Sequence, residues 1–352
     1  MKRSLKIASA FIGIIVGAGF ASGQEILQYF TSFGYWGLAG VILSTLLFGY
    51  LGKILTGLGS RLQTKSHEEA VFRIGGKVIG RIIDYTLIIT LFGILVVMIA
   101  GAGSIFSQQF GLSPVVGRIT MISLVILTIM LNVKKVITII GSITPLLIVM
   151  VVGIAIYSLF TLDTSFAELD PIANEQLSAG PNWFISAINY VSLAIALTTA
   201  MALVLGGAEK NEKVAARGGL IGGIIFGALI LLSYFAIFSK VDIVGTAELP
   251  MLRIADNISP ILGIVMAIVI FCMIYNTAVS LLLSFSARFT PIGTNKFRIF
   301  VIVAGIIAFG LSFVGFTQLV NWLYPAIGYI GLLLVGALIL ADIRKVGRPA
   351  KK

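Results

Sequence analysis

"GIIVGAGFASGQEI", residues Gly13 to Ile26, lies inside the first hydrophobic segment of the chain. It sets Gly13, Gly17, Gly19 and Gly23 beside Ser22, Gln24 and Glu25 at a depth where a plain membrane anchor would be uniformly apolar. Glycine costs a helix interior about 1 kcal/mol relative to alanine, so four of them need a use. One use is close helix packing, for which Gly13 and Gly17 at i and i+4 are well spaced. From Gly19 to Gly23 another use fits better. Ser22-Gly23-Gln24-Glu25 has the S-x-x-E form of a capping box, the mark of a helix start. A helix start in mid-span must follow unwound backbone, and Gly17–Ala21 has the residues for it. The stretch therefore predicts two half-helices, Leu5–Val16 and Gly23–Phe30. N–H groups freed at Gly23 and Gln24 would suit an anion, and carbonyls freed near Gly13–Gly17 would suit a cation. Irregular backbone at this depth is tolerated only where it lines an enclosed cavity, so the break predicts a binding site. Glu25 is then either the capping partner alone or a proton carrier or gate.

The rest of the chain supplies the setting. Of 352 residues, 58% are hydrophobic and 11% charged, against about 25% charged in soluble domains. Mean hydropathy is +1.08. Cys272, the single cysteine, falls in an apolar run and reads as a small hydrophobe. His67, beside Glu68 and Glu69, reads as a solvated loop histidine without metal-ligand spacing. Gln24 and Glu25 interrupt the first apolar run, which argues against a cleavable signal peptide.

Apolar stretches long enough for about 30 Å of hydrocarbon occur ten times. They are Leu5–Phe30, Tyr35–Leu58, Ile79–Phe106, Val115–Leu131 and Val136–Phe160, then Trp183–Gly206, Leu220–Phe238, Ile261–Ser286, Phe297–Val314 and Leu319–Leu340. Backbone groups in lipid must be satisfied within the segment, so these are helices. With the N-terminus inside, all of the 25 Lys and Arg residues except Arg118, Lys240 and Arg253 fall on the cytoplasmic side. That bias places both termini in the cytoplasm of a multi-pass plasma (inner) membrane protein. The net charge of +11 is thus a topology signal, with the lipid bilayer as partner and no nucleic acid.

Two outer loops exceed what a connection needs. Residues 161–182 carry Asp163, Glu168, Asp170 and Glu175; Val241–Pro260 contains "ELPMLRIAD" and reads either as a helix-bearing flap or as an ordinary surface loop. The first loop divides the chain into a five-helix repeat at 1–160, a second at 183–343 and a basic tail at 344–352, so the halves have opposite topology. Span 6 carries polar Ser192, Thr198 and Thr199 at mid-depth and is expected to break as span 1 does. Interrupted helices at matching positions of inverted repeats point to a midplane binding site. Span 8 adds Asn276, Thr277 and Ser280 on one helical face. Their oxygens would suit an alkali cation; alternatively they make interhelical hydrogen bonds. Asp84 and Lys53 read as interfacial.

This layout, with "GAGFASGQE" in span 1, resembles the YkvI-type bacterial membrane proteins. These in turn resemble distant members of the LeuT-fold, the amino acid–polyamine–organocation superfamily. The likeness spans the whole chain in layout, and its motif rests mainly on span 1. It implies a substrate site between spans 1, 3, 6 and 8, touching Gly17, Gly19, Phe20, Ser22, Gly23, Gln24, Ser192, Thr198 and Thr199. It also implies a sodium site from backbone near Gly13 and Val16 with Thr277 and Ser280 or Asn276. The sequence departs from related amino acid symporters by Phe20 after the second glycine and by lacking an arginine in the outer half of span 1. Val136–Phe160 carries no charge, which favours sodium over a lysine-based proton mechanism.

The expected activity is cation-coupled alternating-access transport of a small polar solute, an amino acid or related amine or zwitterion. The alternative is a solute sensor on a transporter scaffold. No cofactor is expected beyond Na+ or H+ as coupling ion. No phosphate-cradling loop marks a primary pump, no filter motif marks a channel, and no His, Cys or carboxylate cluster marks an enzyme.

Overall fold

The computed structural model of the chain describes residues 2–63, 67–131, 143–344 and 346; at 18, 67–79 and 82–84 it describes the backbone alone. Among these residues there is no β-strand. The helices in order are α1 (Lys2–Ile15), α2 (Ala18–Ser22), α3 (Gln24–Tyr29), α4 (Tyr35–Leu62), α5 (His67–Phe110) and α6 (Pro114–Met130). They continue with α7 (Thr144–Phe160), α8 (Phe166–Asn174), α9 (Trp183–Gly207), α10 (Glu212–Phe238) and α11 (Val241–Val244). The last are α12 (Pro250–Ile258), α13 (Pro260–Phe289), α14 (Asn295–Leu311) and α15 (Phe316–Ile343). Among the described residues, seven helical segments are long and apolar enough to cross a membrane, with α6 and α7 as shorter apolar helices. His67, expected in a loop, instead opens α5. The side chains of His67, Glu68, Glu69 and Asp84, residues 136–142 of the fifth span and residues 347–352 of the tail lie outside the described residues.

Glycine spacing explains how the first bundle packs. The run "GGLIGGIIFG" (Gly218–Gly227) gives α10 two small faces. Gly219 and Gly223 lie so close to α4 that a Cβ would overlap the carbonyls of Gly52 and Phe48. Gly218 and Gly222 face α1, where a Cβ would lie 2.6 Å from Ile7 and 3.0 Å from the Ala8 carbonyl. Gly59 and Gly206 do the same between α4 and α9, against Leu203 and Thr56. Small residues permit this approach in a membrane, where dispersion rather than water exclusion holds helices together. Thr56 ties the contact further, its hydroxyl lying 2.9 Å from the carbonyls of both Gly52 and Ala215. Helices α1, α4, α9 and α10 thus form one tight group. A second group, α5, α6, α13 and α14, packs beside it, with α15 against α9 and α5.

Helix α9 runs unbroken from Trp183 to Gly207, so the expected break in span 6 is absent. Its polar residues are satisfied without unwinding. Thr198 and Thr199 donate back to the carbonyls of Ala194 and Ile195, at 2.8 and 2.6 Å. Ser192 and Asn189 donate across to the Gly328 and Pro325 carbonyls of α15, at 2.7 and 2.9 Å. No glycine or proline precedes Gly206 in this helix, so nothing favours an unwound turn.

At the face where α4 ends, Arg61 is 6% exposed and pairs with Glu212 at 2.7 Å and Asp342 at 3.3 Å, joining α4, α10 and α15. It also donates to the Val346 carbonyl. Arg61→Ala is expected to lower stability by about 2 kcal/mol, because it strips a sheltered cluster of its cation. Thermal unfolding in low and high salt checks this; a loss that vanishes in high salt would contradict the sheltered geometry.

Candidate functional site

The break in the first span is where the opening stretch put it, but shorter. Helix α1 closes with the Val16 N–H on the Ile12 carbonyl at 2.9 Å. Gly17 is extended (φ −102°, ψ 179°), and its carbonyl accepts from Ala21 at 3.1 Å, starting α2 at once. The predicted unwound segment Gly17–Ala21 is therefore mostly a helical turn, and the interruption is confined to Val16 and Gly17. A second kink follows at Gly23, whose φ of +82° lies in the left-handed region that glycine tolerates.

The predicted capping box is not formed. Ser22 Oγ donates to the Gly19 carbonyl at 2.7 Å and accepts from the Gln24 N–H at 3.1 Å. The Gly23 N–H is taken by the Phe20 carbonyl at 3.1 Å. Neither Gly23 nor Gln24 thus offers the free N–H expected for an anion. Glu25, released from capping, turns inward and accepts from the Tyr190 hydroxyl at 3.1 Å. Its carboxylate lies over Gly19, where a Cβ would overlap it.

A cavity of about 1270 Å³ opens from this break. It is lined by Gly13, Val16, Gly17, Gly19, Glu25, Thr198, Asn276, Thr277 and Ser280 among the predicted residues. The proposed cation set on α13 thus shares one cavity with the end of α1. Asn276 Oδ1 is buried there without a hydrogen-bond partner, while Ser280 donates to the Asn276 carbonyl at 2.9 Å. Six predicted residues lie elsewhere. Phe20 is buried against Phe226, their rings 5.5 Å apart. Gly23 and Gln24 face the flap, Ser22 bonds locally to Gly19 and Gln24, and Ser192 and Thr199 are used inside the helix packing. The pattern of polar residues along a span does not reveal helix rotation, which packing alone sets.

Residues the sequence reading passed over also line the cavity: Thr90 on α5, Thr144 on α7, Tyr190 on α9, Ser284 on α13 and Tyr324 on α15. The hydroxyl of Tyr190, mid-span in "INYVSL", was the available signal. From the break the cavity runs past Leu5 and Ser9 of α1, Val204 of α9 and Ser284 of α13. It therefore extends toward the face where α1 begins and α9 ends.

The opposite end is sealed by the 241–260 segment, which carries α11 and α12 as the helix-bearing reading expected. Gln108 of α5 makes a reciprocal pair with Leu249, both bonds 3.0 Å, and Gln109 donates to Asp256 at 3.1 Å. The Gln24 amide reaches the Ala247 and Glu248 carbonyls at 3.2 and 3.3 Å. At Gly23 a Cβ would lie 2.7 Å from Met251 Cγ and 3.0 Å from its backbone nitrogen. Gly23→Ala is expected to cost about 2 kcal/mol, from left-handed strain plus this contact. It should also loosen the flap, read as faster proteolysis within 245–250; an unchanged melt and cleavage rate would contradict it.

No family profile matches the chain. Two curated relatives from Bacillus subtilis do. The uncharacterized membrane protein YkvI is 28% identical over 341 residues, covering 95% of this chain and 94% of the relative. The uncharacterized protein YyaD is 28% identical over 343 residues, covering 97% and 98%. Among solved structures, MhsT in complex with L-phenylalanine superposes with a TM-score of 0.66 at 18% identity, covering 98% of this chain and 89% of that one. The manganese transporter of Eremococcus coleocola gives 0.62 at 13%, covering 99% and 81%. Mhp1 in its inward facing conformation gives 0.58 at 16%, covering 97% and 77%. At these identities the likeness establishes the fold.

Proposed function

We propose that this chain, a homologue of the YkvI and YyaD membrane proteins with the fold of the LeuT-type transporters, is a cation-coupled secondary transporter of a small polar solute. It is not proposed as an enzyme. The observation that carries the reading is the cavity that reaches an interrupted helix, with acceptor oxygens from two further helices around it. A closed flap on one side and an extended vestibule on the other is the geometry of one state of an alternating-access cycle.

The finer reading has ten crossings, counting the interrupted N-terminal segment and the two shorter helices. They fall into two five-helix halves of opposite orientation, 1–160 and 183–343. The distribution of Lys and Arg supports cytoplasmic termini in the plasma membrane. On that orientation the cavity faces the cytoplasm and the flap covers the outside. The coupling ion is Na+, held by carbonyls at Gly13 and Val16 with Asn276, Thr277 and Ser280; buried Asn276 Oδ1, without a partner, supports this choice. A proton on Glu25 is the rival. The solute is an amino acid or a related amine.

Thermal unfolding of the purified protein against amino acids and amines, in sodium and in potassium, tests binding. A solute at about 100-fold its Kd stabilises by about 2.7 kcal/mol. The stabilisation is expected to need sodium in the wild type, and to lose that need in the Thr277→Ala/Ser280→Ala variant and in Asn276→Ala. Uptake into proteoliposomes then tests transport. Sodium dependence that survives all these substitutions would remove the cation site, and binding without flux would make the protein a sensor.

A further inference from the structure

We infer that the solute this cavity accommodates is an organic ammonium on an apolar body, its N–H groups paired with the Glu25 carboxylate. The inference rests on the transporter reading and names its substrate class. Among the described residues, Glu25 is the one charged side chain lining the cavity; no lysine, arginine or histidine of that set lines it. A solute carboxylate would thus meet a protein carboxylate and no cationic side chain among the described residues. The N–H groups of Gly23 and Gln24, where the sequence placed an anion, are already bonded.

An ammonium finds the opposite. The Glu25 carboxylate receives one described hydrogen bond, from Tyr190, and a carboxylate has about four acceptor positions. The remainder belong to a side chain that lines the cavity. The carbonyl end of α1 brings the negative end of a helix dipole to the break. Tyr190 and Tyr324 also line the cavity. Around them Ile12, Ile94, Met98, Leu193 and Met273 make an apolar wall for the body of the solute. The volume, about 1270 Å³, is far beyond what a bare inorganic ion fills.

The experiment uses two isosteric sets on the full-length protein: 2-phenylethylamine, L-phenylalanine and 3-phenylpropionate, then isoamylamine, L-leucine and 4-methylpentanoate. Affinity is read from thermal unfolding against concentration, and transport from solute-evoked currents in proteoliposomes. The amine of each set is expected to bind about tenfold or more tighter than its zwitterion, and the acid not at all. Glu25→Gln should remove the amine's advantage, while Glu25→Asp should weaken binding yet keep the order amine over acid. Binding that ignores solute charge, favours the acid or zwitterion, or is unchanged in Glu25→Gln overturns the inference. Currents separate this from the broader reading. Currents with amino acids but not amines sink the ammonium assignment and leave transport standing. Amine binding without current keeps the assignment and removes transport. Neither binding nor current from any of the six overturns both.

Discussion

Gly223→Leu is expected to leave almost no folded protein, and Gly223→Ala to cost about 3 kcal/mol. The reason is backbone meeting backbone. A Cβ at Gly223 would overlap the Phe48 carbonyl and lie 2.7 Å from the Gly49 nitrogen. Neither atom is the end of a flexible side chain, so α4 and α10 must separate to admit a methyl group. Separation spreads the cost along the whole contact, because Gly52 and Gly219 face each other one turn away. A folded protein has about 5–15 kcal/mol in hand, so a larger side chain exhausts it. Yield of monodisperse protein and the midpoint of thermal unfolding check this. Gly336→Ala and Gly153→Ala are the controls, since a Cβ at either would meet nothing within 4 Å. They are expected to be neutral or to stabilise by at most about 1 kcal/mol, the helix preference of alanine over glycine. If Gly223→Ala melted like these controls, the packing account of the bundle would be wrong.

Gly19→Ala should do the reverse, leaving stability nearly intact and disabling the site. A Cβ at Gly19 would overlap the Glu25 carboxylate, which is the mobile end of a side chain and can swing away. The fold therefore survives, with a change below about 1 kcal/mol. Glu25 loses its place in the cavity wall and its bond from Tyr190. Solute affinity is expected to fall about tenfold or more, the scale of misplacing one partner of a buried charged contact. Tyr190→Phe, which removes the donor and leaves the carboxylate in position, should cost less, about 0.5–1 kcal/mol of binding. Titration of the thermal midpoint with solute measures both variants. Unchanged affinity in Gly19→Ala would separate Glu25 from solute binding.

Legibility in the sequence followed the strength of each physical constraint. The spans were readable because lipid imposes a composition that no partner can supply from outside. The break at Gly17 was readable because an extended glycine followed by a new helical turn needs few contacts to be specified. The double glycine face of α10 was visible as a spacing, though not the helices that it meets. Gly13, Val16, Asn276, Thr277 and Ser280 line one cavity, and their role toward a cation is a proposal. Span 6 was misread because polar residues in a helix have two outlets. Thr198 and Thr199 bond within α9, and Ser192 and Asn189 bond to α15, so mid-span polarity there does not imply unwinding.

Local chemistry in the sequence, by itself, determined a helical membrane chain with its first span interrupted from Gly17 onward, a break that the structure narrows to Val16 and Gly17, and an ionisable group at Glu25. Only the tertiary structure decided where that group points. Capping by Glu25 was locally available, yet Ser22 Oγ took the Gln24 N–H and Tyr190, 165 positions along the chain, took the carboxylate. A side chain's partner in such a bundle depends on the rotation and approach of whole helices. Those are fixed by the summed packing of backbones such as Gly52 on Gly219, which no single stretch of sequence contains.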